Sequence, residues 1–166
     1  MSAEKPTVLF LCADNSVRSQ LAEALLRRVD LRLVRGAQRA LQTGEIQVLT
    51  DEVPSLYERR EVYNVREKNS DAVRTNFAAH MYSAPFARLA RHPRMVGPVQ
   101  SLLGDKLYMH QFKINGKMAF AGDVWQWHQD YGTWLNDDQM PTERAMNVAI
   151  FLDDVNPYNG PLMFIP

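Results

Sequence analysis

The chain has 166 residues, 46% apolar and 23% charged, which suits one ordinary globular domain and argues against disorder. Its 19 lysines and arginines balance 19 aspartates and glutamates, so no overall field draws it to nucleic acid, an anionic membrane or an acidic partner. A lone cysteine, Cys12, excludes an internal disulfide framework and an all-cysteine zinc site.

The opening TVLFLC is a continuous apolar run of strand formers that breaks at Ala13-Asp14-Asn15-Ser16. It is too short and too polar at its flanks for a signal peptide, and no stretch approaches the roughly 20 apolar residues of a membrane span. The expectation is a cytoplasmic protein. From Ser16, SVRSQLAEALLRRV places Val17, Leu21, Ala24, Leu25 and Val29 at helical spacing, with Asn15 or Ser16 as N-cap. Residues 1–30 therefore read as strand, loop and helix. A basic, glycine-punctuated seam follows at 31–44, and a different sequence character fills 45–166.

Past the seam, EIQVLTDEVPSLYERR reads as an extended stretch or short helix, and REVYNVREKNSDAVRTNF as a hairpin around Asn-Ser-Asp. Two short helices are predicted around Pro85–His92 and Arg94–Leu103, the second closed by Gly104. LYMHQFKIN alternates as a strand, Asn115-Gly116 reads as a hairpin turn, and AMNVAIFLDDV and PLMFIP read as strands joined by a turn at Asn156–Gly160. No internal repeat or low-complexity tract is visible. The second half is expected to be mostly antiparallel sheet.

In VWQWHQDYGTW, His128 and Asp130 stand two apart at the end of a predicted strand, where i and i+2 share a side. An imidazole and a carboxylate so placed can converge on one ion, and with a later histidine would leave open positions on Fe(II). Alone, the pattern is in most sequences a surface histidine near an aspartate. Its flanks change the reading. HQFKINGK, DVWQWHQDYGTW, DDQMP, RAMNVAIFLDDV and NGPLMFIP, in that order, resemble the phytanoyl-CoA dioxygenase family of non-haem Fe(II)/2-oxoglutarate oxygenases, and within it the ectoine-hydroxylase-like members.

The resemblance implies a double-stranded β-helix, or jelly-roll, here incomplete and covered by helices, so that the whole chain is of mixed α/β class. It implies oxidative decarboxylation of 2-oxoglutarate coupled to hydroxylation of a small organic substrate, with Fe(II), 2-oxoglutarate as cosubstrate and ascorbate as reductant. His128 and Asp130 would be iron ligands, Asn115 and Trp125 would line the 2-oxoglutarate pocket, and Gln111 and Trp134 would lie near substrate. From the residues alone, Gln111, Lys113 and Asn115 on one strand face suit either a polar pocket or a solvent face. Trp125, Trp127 and Trp134 suit core packing or a water-excluding wall. Arg144 is expected to pair with Asp137 or Asp138, and His80, His92 and His110 show no ligand spacing. The family pattern continues beyond GPLMFIP into the distal histidine and the 2-oxoglutarate arginine. The expectations are therefore an impaired site and a missing C-terminal segment or an oligomer that completes it.

A second signal lies in VLFLCADNSVRSQLAEALL, where Cys12 and Arg18 are spaced Cys-x5-Arg between strand and helix. Loop N–H groups and the arginine of such a turn cradle an oxyanion and lower a thiol pKa. Residues 6–29 resemble the low-molecular-weight tyrosine phosphatase and arsenate reductase family, which implies Cys12 as nucleophile, Arg18 as clamp, and Asn15 and Ser19 as loop supports. No Asp-Pro and no further cysteine is present, so a small buried Cys12 stands beside that reading. A non-catalytic binding or remnant protein is the third alternative.

Overall fold

The computed structural model describes residues 7–14, 41–104 and 106–163. Strand β1 (Thr7–Asp14) is followed by helix α1 (Thr43–Tyr57), the hairpin β2 (Asn64–Arg66) and β3 (Val73–Phe77), and a 3-10 turn at Ala79–Met81. Helices α2 (Ala84–Ala90) and α3 (Pro93–Leu103), strand β4 (Leu107–Asn115), helix α4 (Asp130–Asp137) and strand β5 (Ala145–Phe151) complete the order. The helix predicted from Ser16 lies outside the described residues.

The five strands form one mixed sheet in the order β2-β3-β4-β1-β5. The antiparallel expectation holds for β2-β3 and β3-β4, but β1 runs parallel to both β4 and β5 and separates them. A continuous apolar run such as TVLFLC suits this central position, where both edges are paired. The N-terminal strand is thus part of the sheet. The class is mixed α/β, with a partial sheet under helices.

The segment left open between strand and helix is the 15-residue α1, because Ile46, Leu49, Val53 and Leu56 recur on one face and reach the core. The Glu45 carboxylate accepts the Gln42 N–H at 2.7 Å and closes its first turn. Pro93 opens α3, where His92 Nδ1 accepts the Arg94 N–H at 3.2 Å, and Gly104 ends it at φ 98°.

β4 does not alternate cleanly. Its register against β1 slips between Leu9↔Met109 and Leu11↔Phe112, a bulge at His110-Gln111. Leu107 and Met109 before the slip and Phe112 and Ile114 after it therefore all reach the core of Leu49, Leu56, Phe86, Leu89, Met95 and Val99. Met146, Val148 and Ile150 of β5 join them. By alternation Gln111, Lys113 and Asn115 of β4 and Asn147 of β5 leave by the opposite face. One side of β4 and β5 faces the main core, and the other carries these polar side chains. Asn115-Gly116 opens no hairpin: no strand is present from 117 to 129. Gly116 instead gives close approach, since a Cβ there would stand 2.5 Å from the Val73 carbonyl oxygen. The turn at 156–160 forms, with the Tyr158 N–H donating to Asn156 Oδ1 at 2.8 Å, and no strand follows it through residue 163.

A buried polar network ties α1 to the hairpin. Asn76, fully buried, donates to Asn64 Oδ1 at 2.6 Å, and Asn64 donates to the carbonyls of Leu56 and Arg59 at 2.7 and 2.8 Å. The Tyr82 hydroxyl, its pKa pushed up to about 12 chiefly by burial, stands 2.7 Å from Asn76 Oδ1 as donor. Asn76→Ala strands Asn64 Oδ1 in the interior and is expected to cost about 1–3 kcal/mol, read as a lower urea midpoint at unchanged m-value.

His80 lies against the Phe112 ring, centroids 5.0 Å apart, and burial, with Arg91 adding to it, holds its pKa below the usual imidazole range. The unfolded chain takes up this proton near pH ~6.5 and the folded one only at lower pH, so stability is lost as pH falls through that window. Urea midpoints should drop between about pH 7.5 and pH 5.5, and His80→Phe should lessen the drop.

Candidate metal-binding site

His128 and Asp130 are not on a strand: His128 lies in irregular backbone and Asp130 is the first residue of α4. A carboxylate at a helix N-terminus is favoured by the exposed amide dipoles, and this start, rather than strand pleating, turns the two side chains together. His128 Nε2 stands 3.3 Å from Asp130 Oδ1. His128 Nδ1 is 2.7 Å from the Gln126 carbonyl oxygen, which can only accept, so Nδ1 carries a proton and, in the neutral ring, Nε2 presents a lone pair. Two acceptors facing each other at 3.3 Å need a proton or a cation between them. Two donors bound at right angles to one ion, each about 2.1 Å from it, are about 3.0 Å apart, so the pair fits a divalent metal. Both side chains are half exposed, open to ligands from solvent.

The approach to this pair is anchored on the β2–β3 hairpin. The β2–β3 register slips at Val65-Arg66, and there Arg74 meets the buried Glu67 at 3.1 Å. Arg74 donates to the Val124 carbonyl at 3.1 Å, and its guanidinium lies over the Trp125 ring, 4.0 Å from the centroid. The Asp123 N–H donates to Glu67 Oε1 at 3.1 Å. Asn115 meets the next residue of β3, accepting from the Thr75 hydroxyl at 3.0 Å. The two residues expected at a 2-oxoglutarate pocket thus attach to adjacent positions of β3.

The three tryptophans do not cluster. Trp134 is buried with Met140, Tyr131 and Ala145 in a small second core, Trp127 is exposed, and Trp125 lies under Arg74. Trp134 meets the His110 ring edge-on at 6.0 Å, and His110 Nε2 holds Asp138 Oδ2 at 2.8 Å. With Asp138 engaged there, Arg144 reaches the Leu103 carbonyl at 2.8 Å instead of the expected aspartates. Gln111 Oε1 is buried with no hydrogen-bond partner among the described residues. Among those residues no three His, Cys, Asp or Glu side chains converge on one point.

The cysteine loop is corrected. Cys12 lies within β1, paired with Lys113 on one side and Ala149 on the other, and the strand continues to Asp14. Backbone engaged in two ladders cannot cradle an oxyanion immediately after Cys12. Arg18, Asn15 and Ser19 lie outside the described residues.

A mixed α/β chain with an imidazole–carboxylate pair beside the polar Asn147 of β5 defines the class. Residues 34–166 match the family described as Phytanoyl-CoA dioxygenase (PhyH), and the chain belongs to that family. The L-proline trans-4-hydroxylase of Streptomyces griseoviridis is 40% identical over 126 residues, covering 76% of this chain and 47% of that protein. The ectoine dioxygenase of Bordetella bronchiseptica is 38% identical over 123 residues, covering 74% and 39%. A crystal structure of EctD from S. alaskensis with 2-oxoglutarate and 5-hydroxyectoine superposes with a TM-score of 0.62 at 27% identity, covering 78% of this chain and 48% of that one. A second EctD structure, with bound Fe, has a TM-score of 0.54 over 72% and 45%. The chain spans less than half the length of these relatives. The phosphatase resemblance of residues 6–29 is not borne out. No described helix is long and apolar enough to cross a membrane.

Glu67, Arg74, the Gln126 carbonyl and Asn147 were not singled out from sequence. Asn147 left one trace, a polar residue in the apolar run AMNVAIF.

Proposed function

We propose that the chain carries the iron-binding part of a 2-oxoglutarate-dependent oxygenase that hydroxylates a small organic substrate. The observation that supports it most is the 3.3 Å approach of His128 Nε2 to Asp130 Oδ1 with Nδ1 already committed to a carbonyl. His128 and Asp130 would hold Fe(II), which when bound with 2-oxoglutarate supplies the oxidising chemistry. Asn115 and Trp125 would line the cosubstrate pocket, with Arg74 fixing the Trp125 face. No histidine follows Asp130 in the sequence, so the family's later histidine is not among these residues.

Proline and ectoine, named by the relatives, are small cyclic molecules bearing a carboxylate and ring nitrogen, and we place the substrate in that class. Gln111 Oε1, which has no donor among the described residues, is suited to accept a ring N–H, and Trp134 would wall that side. Residues 45–166 are read as a partial jelly-roll domain of this family, with 31–44 as the seam before it. The test is anaerobic calorimetry of the chain with Mn(II) and then 2-oxoglutarate. Saturable Mn(II) uptake that strengthens 2-oxoglutarate binding supports the reading, and uptake of neither overturns it.

A further inference from the structure

We infer that Asn147 of β5 is a positioning residue for the metal site, fixing the Asp130 carboxylate so that one oxygen is reserved for the ion; this rests on the metal reading of the His128–Asp130 pair. Asn147 Nδ2 donates to Asp130 Oδ2 at 2.8 Å, while the other oxygen, Oδ1, faces His128 Nε2 at 3.3 Å. The two oxygens are thereby distinguished. An amide donor occupies one and leaves the other as a monodentate ligand, as the Gln126 carbonyl on Nδ1 leaves only His128 Nε2 free.

The placement follows from the strand. Met146, Val148 and Ile150 enter the core, so Asn147 must leave by the other face, toward the first turn of α4. Its register partner on β1 is Phe10, in the middle of a paired ladder, which gives the amide a rigid base. Asp130 comes from a short helix preceded by irregular backbone, and without this cross-link its χ angles are free to rotate the carboxylate away from His128. An alanine at 147 keeps the ladder and removes only the donor. Asn147 is exposed, so its truncation leaves no cavity in the core.

The test is Mn(II) binding by the full 166-residue chain, followed by loss of the free Mn(II) electron paramagnetic resonance signal, for wild type, Asn147→Ala and Asn147→Ser, each with its thermal midpoint. The expected result is a roughly 10–100-fold rise in the Mn(II) dissociation constant for Asn147→Ala, a smaller rise for Asn147→Ser, whose hydroxyl retains a donor, and unchanged thermal midpoints without metal. Wild-type affinity in both variants overturns the positioning role while leaving the metal site standing. Equal loss of affinity and thermal midpoint in both variants assigns Asn147 to the fold alone and also overturns it. No Mn(II) uptake by wild type overturns the metal reading itself, and the role of Asn147 with it.

Discussion

His128→Ala and Asp130→Ala should each lower Fe(II) affinity by more than about 100-fold, since losing a ligand must exceed the roughly 10–100-fold cost of losing its outer support. The expectation comes from geometry. Nε2 and Oδ1 are 3.3 Å apart, and among the described residues no third His, Cys, Asp or Glu side chain converges with them to hold the ion in their place. Both variants should fold normally, because both side chains are partly exposed and neither belongs to the core. Asp130→Asn is the sharper change, since it keeps shape and removes charge. Anaerobic Fe(II) calorimetry with circular dichroism on the same samples checks all three, and wild-type affinity in either alanine variant would remove that residue from the site.

Phe86→Ala should be the most damaging substitution in the fold, at about 3–5 kcal/mol. Phe86 is fully buried and meets Phe112 edge-on with centroids 5.9 Å apart, at the junction of α2 and β4. Truncation removes this aromatic pair and leaves a cavity in the core that also holds Leu56 and Val99, which the surrounding helices cannot fill without moving. Against a typical total of about 5–15 kcal/mol, the variant retains little margin and should lose most of its cooperative urea transition. A transition within about 1 kcal/mol of wild type would show that the helix layer does not depend on this contact.

Much of this was legible in sequence where one local rule dominated. Pro93 and Gly104 bracket α3, the Asn-Ser-Asp turn joins β2 to β3, and the flanks of His128-x-Asp130 carried the family. The failures are failures of locality. Strict alternation missed the bulge at His110-Gln111, visible only once β1 supplies a register. The parallel insertion of β1 between β4 and β5 depends on partners far away in sequence, and so did the fate of Cys12. The expected strand at His128 failed because an aspartate at a helix start reaches the same convergence by another backbone route. Arg74, Glu67 and Asn147 act through tertiary contacts spanning up to 56 residues and carry no motif.

The measurement closest to the central claim is the visible absorption of the chain mixed anaerobically with Fe(II) and 2-oxoglutarate. The account predicts a weak charge-transfer band that needs both additions and is absent in Asp130→Ala. A spectrum equal to that of Fe(II) and 2-oxoglutarate without protein, or a band that survives Asp130→Ala, would contradict it.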